Sequence, residues 1–208
     1  MLFLRDSSIV YESKHSLLSK TLLSCIGQVN LLSCYMNEFL KRKIAVEQVL
    51  LGGKRDIEIS HFIDNINECF RCGVIPILNA NDTIYNKELV EDIYQRFSDN
   101  DFLAAEVAKS IGADKFILIT NVAGYLNGLG EVVEEINYED IEIYLSGTNR
   151  TVSNGGTGGM YSKLVTSQIA ECETIIMHNS EISNIGSIID GSKKIGTKIK
   201  VRSRNLQN

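Results

Sequence analysis

Val74-Ile75-Pro76-Ile77-Leu78, running straight into Asn79-Ala80-Asn81-Asp82-Thr83, is the stretch on which the fold turns. A short continuous apolar run is the pattern of a strand covered on both faces, as in a parallel sheet, and this one empties at once into small polar residues. Pro76 cannot donate to a sheet ladder, so the strand either carries an unpaired position there or is interrupted. Upstream, Gly73 ends a helix for which Asp56 is the expected N-cap, with Phe62, Ile63, Ile66 and Phe70 on its inner face. Ile44 to Leu51 reads as another strand. Two helices, Leu17 to Ile26 and Leu31 to Leu40, open the chain, the second with a stripe of Leu32, Tyr35, Met36, Phe39 and Leu40.

Downstream, Asp99 or Asp101 is placed to cap a helix through Leu103, Val107 and Ile111, ahead of a second buried strand, Phe116 to Thr120. The last third holds a glycine-rich loop at Gly155 to Gly159, a helix to Cys172, a strand from Thr174 to Met177, a short helix around Ile185 and a closing strand near Ile199. Buried strands alternating with helices define an α/β protein with an open, mostly parallel sheet between helical layers, a three-layer sandwich. No repeat and no linker rich in Pro, Gly or Ser divides the chain, so residues 1–208 are expected to form a single domain. Sheets of this kind bind ligands beyond the carboxyl ends of their strands.

Composition narrows the function. With 44% hydrophobic and 23% charged residues, the 208-residue chain buries a full core and is too apolar for disorder. A net charge of -5 supplies no basic face for a nucleic acid or an anionic membrane, and neither is expected as a partner. No apolar run approaches the length of a membrane span, and Met1 to Leu4 is too short for a signal-peptide core, which predicts a cytoplasmic location. Cys25, Cys34 and Cys172 lie singly in apolar stretches and Cys69 pairs with Cys72, a usage that predicts reduced, buried thiols. The Cys-x-x-Cys pair closes a helix rather than opening one and has no second pair, which favours structure over zinc or redox chemistry. His15, His61 and His178 are scattered and are read as structural.

Three loops are crowded with small or polar residues. Asn79 to Thr83 offers amides, a carboxylate and a hydroxyl, suited to an amino acid's ammonium and carboxylate or simply to an Asx-rich turn. Ser98-Asp99-Asn100-Asp101 meets a helix N-terminus. It is either a solvated acidic cap or part of a phosphate site in which lysines or Mg²⁺ share the space. Gly155 to Lys163 leads glycines into a helix, where backbone N–H groups, the helix end and Lys163 suit a phosphate. It matches neither the P-loop nor the dinucleotide fingerprint.

The stretches ILNANDTI (Ile77 to Ile84), SDND (Ser98 to Asp101), ADKFILITNVAGY (Ala113 to Tyr125) and GTGGMYSKL (Gly156 to Leu164) together resemble, in order and spacing, the motifs of the glutamate 5-kinases of the amino-acid kinase family. Gly27-Gln28, Gln48 to Leu51 and Gly196-Thr197 extend the likeness to nearly the whole chain. The resemblance implies a parallel sheet between helices, ATP and Mg²⁺, and transfer of the γ-phosphoryl group to the side-chain carboxylate of L-glutamate, the first step toward proline. It further implies a homo-oligomer.

Carried over by position, the resemblance implies that Asp82 and Asn100, with Ser7 of a substrate loop, hold the glutamate. Asp101 organises the phosphate-binding lysines and Lys163 neutralises the phosphates. Thr120 and Asn121 match a nucleotide-contacting pair, and Thr157, Gly158, Gly159 and Met160 match the loop over ATP. Such an inventory of positioning and charge-neutralising groups is what phosphoryl transfer asks of a protein. Four departures stand out. Asn121 takes the place of the family's aspartate, and Ser8 stands where a glycine follows the serine. The family's opening strand, with a second phosphate-contacting lysine, has no counterpart here, nor does its C-terminal RNA-binding-type domain, so the resemblance implies an N-terminally incomplete kinase domain.

Overall fold

The structure, a computed structural model, describes residues 20–52, 54–57, 60–81, 99–147 and 159–201. Its backbone contacts cluster the chain into two compact units, Met1–Val90 and Glu91–Asn208.

In the first unit, α1 (Lys20–Leu40) is one continuous helix. The two opening helices expected from the sequence are therefore one, because a single glycine, Gly27, costs a helix only about 1 kcal/mol and its 21 residues absorb that. Strand β1 (Val46–Leu51) is followed by a short helix α2 (Lys54–Ile57), a longer helix α3 (Ser60–Cys72) and strand β2 (Ile75–Ala80). The two strands pair in parallel from Val46 opposite Ile75 to Leu51 opposite Ala80, the β-α-β unit that a helical crossover produces.

Pro76 does not interrupt its strand. Ile75 N–H donates to the Ala45 carbonyl and Asn81 N–H to that of Leu51. Donors alternate along a strand, so the ring sits on the side turned away from β1, where it removes no bond of this pair.

Two expectations for α3 are corrected. Its buried face is Phe62, Ile66 and Cys69, while Phe70 is 55% exposed because it lies about a hundred degrees from Cys69 around the helix. Asp56 caps nothing in α3. It lies in α2, and its carboxylate accepts from Gly52 N–H at 2.5 Å, tying the end of β1 to that turn. Gly73, at φ 69°, ends α3 in the left-handed conformation as expected.

The thiols are all free, but only Cys69 and Cys172 are buried. Cys34 and Cys72 are exposed and Cys25 is half-buried, since helices α1 and α3 turn those positions outward. Cys69 Sγ donates to the Glu47 carboxylate at 2.6 Å, and Asn65 Nδ2 donates to the same group at 2.9 Å. The Glu47 hydrogen bond, with burial, pushes the Cys69 thiol up to about 11, so it stays protonated and inert near neutral pH.

The second unit is built on a four-stranded sheet in the order β3 (Lys115–Thr120), β5 (Glu173–His178), β6 (Thr197–Ile199), β4 (Glu135–Ile136). β3 and β5 are parallel, β4 and β6 are parallel, and β5 meets β6 antiparallel. Helices α4 (Asp99–Ser110), α5 (Ile141–Gly147) and α6 (Met160–Ala170) pack on one face around Ala105, Phe116, Leu118, Ile136, Ile141, Leu164 and Ile176. Helix α7 (Ile185–Ile189) brings Ile188 against Ile175 and Met177 on the other. Burying each large aliphatic side chain contributes about 2 kcal/mol, so this double-sided cover is what holds the sheet. Helices on both faces of a mostly parallel sheet are the α/β arrangement expected from the sequence.

Strand β6 is held by a close approach. Gly196, at φ 72°, passes so near the Ile176 backbone that a Cβ there would lie 2.0 Å from the Ile176 carbonyl oxygen. The next residue, the buried Thr197, accepts the Tyr125 N–H at 2.7 Å on its hydroxyl. Among the described residues, no helix is long and apolar enough to cross a membrane.

Candidate functional site

The helices of the second unit bring their first turns to one end of the sheet. α4 rises about 18 Å over its twelve residues and the six-residue β3 spans about 20 Å, with a short turn between them. The N-terminus of α4 therefore comes level with the carboxyl end of β3. The same reasoning places the start of α6 level with the carboxyl end of β5. Asp101 and Lys163 thus share an end of the sheet with Thr120 and His178.

The structure joins Asp101 and Lys163. Lys163 Nζ donates to Asp101 Oδ2 at 2.9 Å, with 14% and 23% of the two side chains exposed. Sixty-two residues of chain separate them, and the packing of α4 against α6 closes the gap. Ala105, fully buried between them, has no side chain large enough to hold the helices apart. Asp101 is the third residue of α4 and spends its carboxylate on the lysine, so it does not serve as that helix's cap.

Gly159 stands at the N-cap of α6 and offers no side-chain hydrogen bond, and the positive end of the helix lies beside the lysine. Met160 packs against the core cluster on the α4–α6 face. Ser162, buried one residue before the lysine, has a hydroxyl with no hydrogen-bond partner in the structure. Thr120 ends β3 with its hydroxyl 3.4 Å from the Asn121 side-chain oxygen, and Asn121 itself is exposed. Asn100 is exposed in the first turn of α4. Ser7, Asp82, Thr157 and Gly158 lie outside the described residues.

These groups fit a polyphosphate: one lysine oriented by a carboxylate, a helix N-terminus with glycine at its cap, a hydroxyl and an amide. No group of three or more His, Cys, Asp or Glu side chains gathers as a metal cage among the described residues. The donor set therefore suits Mg²⁺ carried on the phosphates of a nucleotide, the usual way this ion is held in kinases.

His178, read from the sequence as structural, caps the turn after β5 by accepting the Ser180 N–H at 3.2 Å, and it stands opposite Thr120 in the parallel register of β3 and β5, a placement that no periodicity reveals.

An α/β sheet with a lysine–aspartate pair at its carboxyl end defines a class, and sequence comparison agrees with it. A sequence model described as "Amino acid kinase family" matches residues 9–174, and this chain belongs to that family. Among its relatives, the glutamate 5-kinase of Streptococcus thermophilus (strain CNRZ 1066) is 31% identical over 191 residues, covering 86% of this chain and 70% of that protein. The glutamate 5-kinase of Rippkaea orientalis is 31% identical over 93% of this chain and 54% of that protein. That of Aquifex aeolicus is 29% identical over 96% and 55%. The chain thus spans about half the length of several curated relatives that it matches. Among solved structures, UMP kinase from Ureaplasma parvum shares the fold with a TM-score of 0.52 over 83% of this chain and 66% of that one, at 11% identity. UMP kinase from Bacillus anthracis does so with a TM-score of 0.50 over 76% and 59%, at 13% identity.

Proposed function

We propose that this chain phosphorylates the side-chain carboxylate of L-glutamate with ATP, giving L-glutamyl 5-phosphate for proline synthesis. The observation that carries this reading is the Lys163–Asp101 pair in the first turns of α4 and α6, at the carboxyl end of β3 and β5. The 31% identity to proteins named glutamate 5-kinase supports the choice of acceptor.

In this reading Lys163 neutralises charge on the transferring phosphates and Asp101 holds its ammonium in place. Gly159 and Met160 at the start of α6, with Thr157 and Gly158, lie over the nucleotide, while Thr120 and Asn121 contact it. Ser7, Asp82 and Asn100 hold the glutamate. A glutamate carboxylate is already ionised at neutral pH, so its attack on the γ-phosphorus needs no base; the bond to the β,γ-bridging oxygen breaks and ADP departs. Mg²⁺, were it bound with ATP beside Lys163, would withdraw negative charge from the phosphates.

The same reading carries a cytoplasmic location, a homo-oligomeric assembly and one kinase domain drawn from both units. The unbroken family match over residues 9–174, which runs from one unit into the other, supports the single domain.

The test is hydroxamate formation from glutamate, ATP, Mg²⁺ and hydroxylamine by the 208-residue chain, beside a version extended upstream where the gene encodes more. Glutamate-dependent product from either supports the proposal. ATP binding without product from both would instead make the chain a silent nucleotide-binding relative. Faster turnover of a nucleoside monophosphate, aspartate, N-acetylglutamate or carbamate would replace the acceptor.

A further inference from the structure

His178 closes β5 directly opposite Thr120. Side chains alternate along a strand, so His178 continues the row of Thr174 and Ile176, as Thr120 continues that of Phe116 and Leu118. Phe116, Leu118 and Ile176 pack in the cluster that α4 and α6 cover. His178 and Thr120 therefore lie at the carboxyl end of the face whose helices carry Asp101 and Lys163.

One nitrogen of the ring is committed. Ser180 N–H donates to His178 Nδ1 at 3.2 Å, and Ser180 Oγ lies 2.8 Å from the same atom, so the ring caps the 3-10 turn Asn179–Asn184. A backbone N–H can only donate, which makes Nδ1 an acceptor and puts the hydrogen of the neutral ring on Nε2. His178 is half-buried, and among the described residues Nε2 has no hydrogen-bond partner. A donor of fixed tautomer thus stands one strand, about 4.8 Å of sheet, from Thr120, unused by the protein and at the end of the sheet where ligands bind.

We propose that His178 is a further nucleotide-binding residue, its Nε2–H donating a hydrogen bond to an acceptor atom of ATP beside Thr120 and Asn121. This rests on the kinase reading above and departs from the structural reading of the histidines in the sequence.

Two substitutions separate the ring's two nitrogens. His178→Asn keeps a short acceptor at a favoured N-cap position and removes the distal donor. His178→Gln places an amide N–H near the Nε2 position and gives up the cap. Calorimetric titration with MgADP, paired with thermal melts, is expected to show ADP binding about fivefold weaker in His178→Asn at an unchanged melting temperature. His178→Gln is expected to bind within twofold of the parent chain while melting lower. In turnover, His178→Asn raises KM for ATP by the same factor and leaves kcat in place. ADP affinity that follows stability, with Asn like the parent and Gln weakened, overturns the proposal and leaves the ring a cap alone. A parent chain that binds no ADP removes the kinase reading as well, whereas a parent that binds ADP as tightly as His178→Asn removes only this inference.

Discussion

The two ends of the β3–β5 pair make a controlled comparison, because the same two strands supply both. At the amino end, Lys115 of β3 lies opposite Glu173 of β5, and the Glu173 carboxylate takes hydrogen bonds from Lys115 and, at 2.6 Å, an ion pair from Lys198 of β6. Each of these charges is set on a strand and answered by a neighbouring strand. At the carboxyl end the strands carry Thr120 and His178, while the paired charges of Asp101 and Lys163 sit on the first turns of α4 and α6. The amino end uses its ions to fix strand register. The carboxyl end places its ions on helix termini and leaves donors unspent, the disposition of a site that expects an anionic visitor.

The sharpest way to break that contrast is Lys163→Met. Phosphoryl transfer is expected to fall by about two to three orders of magnitude, in line with losing one preorganised electrostatic donor, while the melting temperature moves little. A collapse of stability with activity per folded molecule retained would make this pair another structural bridge. Gly196→Ala tests the sheet between the two ends. The added Cβ meets the Ile176 carbonyl, and a loss of about 3 kcal/mol in denaturant unfolding is expected.

Glu173→Gln addresses the amino end and is expected to cost about 1 kcal/mol with transfer rates unchanged, since its charge is paired with Lys115 and Lys198 of the sheet. The matching pH effect has a definite sign. Burial pushes the Glu173 carboxyl up, but hydrogen bonds from Lys115 and Lys198 outweigh it and hold the group below the ordinary glutamate value. Its stabilisation is therefore present above about pH 4.3 and is lost as pH falls through the depressed value. Thermal melts of the parent chain between pH 6 and pH 3, read against those of Glu173→Gln, are expected to converge on the acid side. The smallest effect, about 0.5 kcal/mol or less, is expected for Lys198→Met, whose side chain is 43% exposed.

The strands Phe116 to Thr120 and Thr174 to Met177 were legible from sequence because a continuous apolar run leaves a continuous signal, although Ile119 proves exposed in the first of them. Strand β4 was not, since Glu135-Ile136 is too short to carry a period and exists through its pairing with β6. The antiparallel turn of β6 was equally hidden, because composition does not encode strand direction. The gap between Leu17 to Ile26 and Leu31 to Leu40 misled as a break, whereas Gly73 was read correctly because Val74 onward changes period. At the candidate site, the stretches bearing Asp101 and Lys163 stood out by their residue types, whereas Thr120 came only from the resemblance. The pairing of Asp101 with Lys163 across 62 residues is a product of helix packing, and the placement of His178 is a product of register. Neither quantity is local, and only the resemblance to a family anticipated the first.

The fastening of β6 has a consequence for the order in which the molecule is made. Tyr125 and Thr197 are joined across 72 residues, and β4 has β6 as its only neighbour in the sheet. A ribosome delivers α4, β3, β4 and α5 long before Thr197, so β4 and the Tyr125 loop emerge without the strand that organises them. Closure of so distant a contact is slow compared with helix formation. Nascent chains that stall before Gly196 are therefore expected to hold β3 and β5 beside an unfastened β4, and the release of Gly196 to Ile199 is the step that commits this unit to its final sheet.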